Sequence, residues 1–253
     1  MDFFTAILLG AIQGLTEWLP VSSSGHLALA QHYFGWAAPV AFDVMLHFGT
    51  LLAVIAYFWR DIKGLFYYRA KGLQYLFLIV AALIPTAVIG LSFKSVFESM
   101  YSQPLLIAVA LVITGVFLIV AERFSQPSQE PDVGSAFLVG LAQGVAVAPG
   151  ISRSGATIGM GLLSGFKREE AARFSFLLAI PAVIGAAALE GVKSFTLAGL
   201  DPLGVIAGTV AAAVVGYWSI GFLYGFLKRG KLSPFAYYCF ALAAVVFAAE
   251  FFR

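Results

Sequence analysis

Two short stretches hold most of the residues in this chain that could do chemistry. In the first, GAIQGLTEWLPVSSSGHL, Gln13 and Glu17 are four residues apart, which in a helix puts them on one face, one turn from each other. Beyond Pro20 follow Ser22, Ser23, Ser24, Gly25 and His26. The second, GLAQGVAVAPGISRSGAT, sets Arg153 between Ser152 and Ser154, with Gly155 and Thr157 after it. A helix that starts at a serine-rich turn points unpaired backbone N–H groups and the positive end of its dipole at whatever precedes it, which makes an anion site. Serine hydroxyls add donors, Gly25 and Gly155 allow close backbone approach, and Arg153 can hold two phosphoryl oxygens. Glu17 and His26 supply what binding alone would not need. One is a carboxylate for a divalent cation or for orienting the imidazole; the other moves protons near neutral pH. Phosphoryl transfer depends on positioning and charge stabilisation, so a phosphate ester or diphosphate is the expected substrate.

The rest of the chain sets the solvent in which these residues must be held. Of its 253 residues 61% are hydrophobic and 11% charged, with a mean hydropathy of +0.93, whereas a soluble domain carries about 25% charged residues. An all-α polytopic membrane protein is expected, one membrane domain over residues 1–253. The start, MDFFTAILLG, has neither a basic region nor a small-residue cleavage site, so it does not read as a removable signal peptide. Cys239 is the single cysteine, which excludes an internal disulfide and a thiolate-rich metal site. A net charge of +2 without a basic, aromatic-interleaved patch argues against nucleic acid as a partner.

Six apolar runs are long enough to cross the hydrocarbon core, near 42–60, 73–93, 103–122, 173–190, 203–227 and 232–252. Residues 3–34 and 135–164 differ, because PVSSSGH and PGISRSG break them near their middles into two half-helices each. A shift of 130 residues lays Gly10, Gln13, Gly14, Ser22, Ser24 and Gly25 onto Gly140, Gln143, Gly144, Ser152, Ser154 and Gly155, and Pro104 onto Pro234. One unbroken offset indicates duplication, with repeat one over 1–125 and repeat two over 131–253. Broken segments at matching places in two repeats mark a binding site near the membrane midplane.

Charge decides whether those segments cross or return. If both are re-entrant, Arg60, Lys63, Arg69, Lys71, Arg123, Lys167, Arg168, Arg173, Lys228, Arg229 and Lys231 share one side against Lys94, Lys193 and Arg253, eleven to three. If each crosses once, the count is seven to seven. The positive-inside rule selects the first, with six spans, about ten helices and both termini on the outer side. Three spans per repeat is an odd number, so the repeats are inverted and their polar tips are expected to meet. An arginine at membrane depth costs about 2.5–3.5 kcal/mol on insertion scales and needs a partner, which the other tip offers.

Each feature also has a plainer reading. Ser22 and Ser152 suit helix N-caps, which does not prevent them from touching phosphate. Glu17 could sit in interfacial water, and Arg153 could simply tie the repeats together. His32 and His47 lack polar company and read as structural, as do Asp43 and Arg173 at matching starts of spans. The many glycines and alanines suit close helix packing.

Gln13-x-x-x-Glu17 followed by PVSSSGH, and PGISRSGAT from Pro149 to Thr157, resemble the paired motifs of the bacterial undecaprenyl-diphosphate phosphatase family, also known for bacitracin resistance. HFGTLLAVIAYFWRDI and FSFLLAIPAVIGA are similar to that family too, so the resemblance covers essentially the whole chain. It implies an inner-membrane enzyme that removes the terminal phosphate from a C55 polyprenyl diphosphate, regenerating the lipid carrier for peptidoglycan and other envelope polymers, with bacitracin competing for the substrate. It implies a divalent cation, Mg2+ or Ca2+, and catalytic roles for Glu17, Ser23, His26 and Arg153. Gln13, Ser22, Ser24, Gly25, Ser152, Ser154 and Thr157 are the expected substrate-binding set, and Glu17 with Gln13 the expected metal ligands. Gln13 stands where the family also allows glutamate, which leaves one fewer carboxylate for metal. The attacking group stays open between Ser23 activated by His26 and a water activated by His26 or Glu17. A homodimer is an assembly to test. The competing class is transport of a polyprenyl phosphate or another anionic lipid, since inverted repeats with meeting hairpins also build transporters.

Overall fold

The computed structural model describes residues 2–36, 38–67, 69–126, 128–194 and 200–253, apart from the side chains of Arg69 and residues 190–194. Arg69 and Lys193, counted above, therefore have side chains outside the described residues. Twelve helices account for almost all of what is described: α1 (Phe3–Trp18), α2 (Ser23–Phe34), α3 (Val40–Tyr57), α4 (Trp59–Tyr67), α5 (Arg69–Ser92), α6 (Lys94–Met100), α7 (Pro104–Phe124), α8 (Val133–Val145), α9 (Arg153–Leu163), α10 (Arg168–Ser194), α11 (Pro202–Lys228) and α12 (Ser233–Phe251). Six of them, α3, α5, α7, α10, α11 and α12, are long and apolar enough to cross a membrane. The chain is a multi-pass membrane protein.

The two broken segments are helix pairs. α1 and α2 are separated by the Pro20 turn, and α8 and α9 by the turn through Gly150. Asp2 starts α1 by accepting from the Thr5 amide at 2.9 Å, and Asp132 starts α8 in a reciprocal cap with Ser135. The Ser135 amide and hydroxyl hold the Asp132 carboxyl below its ordinary range. Shifted by 130 residues, α1, α2, α3, α5 and α7 fall on α8, α9, α10, α11 and α12. Packing is reciprocal as well: α1 lies along α11, and α8 lies along α5.

Two helices exceed the expected ten. α4 is nine residues with none fully buried, carrying Arg60 and Lys63 among exposed Trp59 and Phe66. Its Lys63 ammonium lies 4.9 Å from the Trp59 ring centroid, the mixed surface of a helix at a membrane interface. α6 is seven residues, held by a Lys94–Glu98 pair at 3.3 Å. Both are too short and too charged to register as apolar runs, which is why the sequence does not announce them.

Glycine brings the hairpins against the spans. A Cβ on Gly10 would sit 2.1 Å from the Gly208 carbonyl oxygen of α11, and one on Gly140 would sit 2.1 Å from the Ala82 carbonyl oxygen of α5. These are backbone atoms that cannot swing aside, so the helices must part. Gly10→Ala should therefore lower stability by about 1–3 kcal/mol. Thermal unfolding in detergent would show a lower Tm, whereas Gly185→Ala, with no atom within 4 Å of the added carbon, should leave it unchanged or raised.

Candidate active site

The two tips meet. The Gly150 amide donates to Ser22 Oγ at 3.0 Å, and Ser154 Oγ donates to the Leu19 carbonyl at 2.9 Å. A Cβ on Gly25 would lie 3.2 Å from Gly150 Cα, so the glycine at that place lets one tip rest directly on the other. Ser22 bears the strain of the turn, as the only non-glycine residue with positive φ (70°) among those described. Its hydroxyl also accepts from the Gly25 amide at 3.3 Å. An over-determined strained residue of this kind is typical of a functional turn.

Glu17 is the hub. Buried at 7% exposure, its carboxylate accepts from Gln13 Nε2 at 2.9 Å and from Ser23 Oγ at 2.6 Å, and it is ion-paired with Arg153 from the opposite tip. His47 Nε2 lies 3.7 Å from the same carboxylate. The arginine of the second tip thus finds its counter-ion on the first, and its guanidinium lies over Trp18, 5.0 Å from the ring centroid. Two polar atoms of this cluster are buried without a partner, Arg153 Nη1 and Gln13 Oε1. Orphaned donors and acceptors beside an ion pair cost free energy in the resting molecule, and a ligand with both kinds of group would satisfy them.

The expected set divides on inspection. Glu17, Ser23, Arg153 and Gln13 form one connected cluster. Ser24, half-buried, lies 3.4 Å from Ser22 Oγ and lines a cavity of about 330 Å³ with Gln31, His32, Asp43 and His47. Ser152 caps α9 by accepting from the Gly155 amide at 3.0 Å, and its own amide donates to Thr114 Oγ1 at 3.1 Å. The Thr157 hydroxyl donates to the Arg153 carbonyl at 2.8 Å and lies 2.5 Å from Ser175 Oγ. Ser152, Ser154 and Thr157 hydroxyls are therefore committed to shaping the tip. The first-turn amides of Ser23, Ser24, Arg153 and Ser154 keep the donors without helical partners.

His26 departs from expectation. It bonds neither Ser23 nor Glu17: Nδ1 contacts the Ser22 carbonyl at 2.7 Å, and Nε2 contacts Tyr238 Oη of α12 at 2.7 Å. The carbonyl can only accept, so Nδ1 carries the proton and Nε2 accepts from the tyrosine. The group on Ser23 is Glu17 instead. Sequence reading also missed His47 and Tyr238. The Asp43-x-x-x-His47 spacing, one helical face one turn apart, was the available signal for the former; an exposed tyrosine in an apolar run gave none.

The repeats share their framework and divide their chemistry. At the 130-residue offset Glu17 matches Val147, Ser23 matches Arg153 and His26 matches Ala156. Each tip therefore supplies groups the other lacks.

The chain is similar to known proteins over almost its whole length. The chain matches the model of a family described as bacitracin resistance protein BacA over residues 6–245. A protein of Halothermothrix orenii named undecaprenyl-diphosphatase is 41% identical over 253 residues, covering 97% of each chain. One of the same name from Moorella thermoacetica is 42% identical over 262 residues, covering all of both. Another from Thermodesulfovibrio yellowstonii is 40% identical, covering 100% of this chain and 99% of its own.

Proposed function

The chain belongs to the bacitracin resistance protein BacA family, and on that premise we propose how its two tips carry out one reaction. That reaction is the hydrolysis of undecaprenyl diphosphate to undecaprenyl phosphate and inorganic phosphate, the activity for which relatives about 40% identical over the full chain are named. The observation that carries the site is the shared carboxylate of Glu17, bonded to Ser23 Oγ from its own tip and paired with Arg153 from the other. Transport is the weaker reading, since moving an anion needs donors but no carboxylate set on a serine hydroxyl.

The terminal phosphate enters where the unpaired Arg153 Nη1 and the first-turn amides converge, and it draws the guanidinium from Glu17. The carboxylate released from its counter-ion becomes a better base for the hydroxyl 2.6 Å away. Ser23 Oγ then attacks the terminal phosphorus, its proton passes to Glu17, and the bridging P–O bond breaks with its electron pair on undecaprenyl phosphate. Arg153 holds the charge that develops. Glu17 gives its proton to cavity water. A second water attacks the phosphoserine, Glu17 takes one of its protons and returns it to Ser23 Oγ, and inorganic phosphate leaves. Ser24, on the wall of the cavity, binds phosphate oxygens in both steps.

Among the described residues no group of three or more His, Cys, Asp or Glu side chains could cage a metal. Glu17 and the unpartnered Gln13 Oε1 fit an ion that takes its other ligands from substrate oxygens and water, as Mg2+ commonly does. Bound there, Mg2+ or Ca2+ would supply charge neutralisation for the diphosphate.

The cavity lies against the start of α3 and the end of α2, far from the lysine- and arginine-rich ends of the spans. The charge tally makes that the outer side of the inner membrane, with both termini there. Bacitracin, in this reading, competes for the same diphosphate. A homodimer is compatible with this reading, which takes every named side chain from one chain.

Protein purified in detergent should release phosphate from undecaprenyl diphosphate, and EDTA should stop it until Mg2+ or Ca2+ is restored. Well-folded protein that releases none under any metal would remove the enzymatic reading and leave transport. Activity indifferent to EDTA would remove the metal alone.

A further inference from the structure

The cavity gives the diphosphate water on one side, but its prenyl chain has to stay in lipid, so the headgroup needs a sidelong path to the tips. One seam has the chemistry of such a path. α2 and α12 both pack on α7, yet they share no extensive backbone packing with each other among the described residues. Side-chain hydrogen bonds join them instead. Near the tip Tyr238 Oη meets His26 Nε2 at 2.7 Å, with the two rings nearly parallel at 7°. Toward the outer end Tyr33 Oη donates to Glu250 at 2.8 Å, and Arg253 Nη1 lies 2.6 Å from His32 Nε2. From residue 238 to 250 the seam runs about 18 Å along α12. It faces outward: Tyr238 is 46% exposed and Tyr33 37%.

The donors along this line are what phosphate oxygens require: a guanidinium and two tyrosine hydroxyls, ending beside the tip that carries Ser23. Glu250 is the one acidic group, and it draws Tyr33, His32 and Arg253 together. An arriving diphosphate offers the same donors more negative oxygens than one carboxylate does. We propose that the α2–α12 seam is the lateral portal by which the lipid diphosphate reaches the tips. Glu250 is the latch at its outer end, and Tyr238, whose hydroxyl donates to His26 Nε2, closes its inner end until that hydroxyl turns to a phosphate oxygen. A polar seam held by exchangeable hydrogen bonds opens at less cost than the interdigitated contacts of α1 with α11. The proposal rests on the phosphatase reading above, because it takes a lipid diphosphate as the molecule that enters.

The test is a reversible tether across the seam. Full-length protein carrying Cys239→Ala, Tyr33→Cys and Glu250→Cys is reconstituted in nanodiscs and joined with a bis-methanethiosulfonate spacer. Phosphate release from undecaprenyl diphosphate is measured before tethering, after it, and after reduction, with each single-cysteine variant treated alike. Tethering should cut release more than tenfold and reduction should restore it. A tethered rate within twofold of the untethered one would overturn the portal, whereas no release from untethered wild type would instead overturn the phosphatase reading. If the double-cysteine protein is inactive before tethering, spin labels at Phe34→Cys and Phe251→Cys, both exposed and outside the latch, decide the matter. A non-hydrolysable methylene-bridged analogue of the lipid should lengthen the distance between the labels, and an unchanged distance counts against the portal.

Discussion

Arg153→Ala should cut phosphate release by about 10²- to 10³-fold, the loss typical of removing one preorganised group from developing charge. Arg153 is the cation of the tips, it is braced over Trp18, and one of its nitrogens is buried with no partner. Arg153→Lys should recover little, since a lysine offers a point charge in place of the planar fork and stacks less well on the indole. The loss should appear in kcat more than in KM if the guanidinium leaves Glu17 only as charge builds, and in both if it moves on binding. Stability supplies an independent reading. Glu17→Ala leaves Arg153 at membrane depth without its counter-ion, which should cost about 3–5 kcal/mol. The double variant Glu17→Ala/Arg153→Ala should be less destabilised than the sum of its singles, because the second change removes the charge that the first left bare. Strictly additive losses of Tm would show that the pair is not coupled. Arg153→Ala with wild-type turnover would remove the arginine from the chemistry and return it to the role of a tie between halves.

The degree to which this site could be foreseen varies with the kind of interaction involved. The spans and hairpins follow from run length and from Pro20, Pro149 and the serine turns, which are local signals. That Arg153 should face Glu17 follows nearly as directly, since a buried charge needs a partner and the chain has few at that depth. His26 is another matter. Its place three residues after Ser23 sets it close to that serine, but whether the ring turns to Ser23 or back to the Ser22 carbonyl is a rotamer choice. Tyr238, more than two hundred residues away, settles that choice. The commitment of Ser152, Ser154 and Thr157 to Gly155, Leu19 and Ser175 was hidden for the same reason: a hydroxyl's partner depends on what packs over it. α4 and α6 were missed because their stabilisation comes from an interface and from short-range pairs, which leave no long apolar run.

Ser23→Ala should abolish turnover, by about 10³-fold or more if the hydroxyl is the nucleophile, since a lost nucleophile is the most damaging single change to such a unit. Ser24→Ala, which loses a phosphate ligand on the cavity wall, should cost far less. Acid-quenched wild type turning over diphosphate labelled in its terminal phosphate should carry label on Ser23, and Glu17→Gln should form that label slowly. Geometry favours this course, because Ser23 Oγ already donates to Glu17 at 2.6 Å and no step of folding or binding has to bring them together. A carboxylate paired with an arginine is a poor base, so the resting enzyme does not ionise Ser23. Only a ligand that takes Arg153 away arms Glu17, and the ligand that does so is the diphosphate itself. Deprotonation of Ser23 is thereby tied to occupancy of the site. If quenched enzyme carries no label and oxygen-18 analysis shows inversion at phosphorus in a single turnover, water attacks directly and Ser23 becomes a ligand. The coupling between Arg153 and Glu17 would survive that result, since a water in the place of the serine hydroxyl would need the same base, released by the same event.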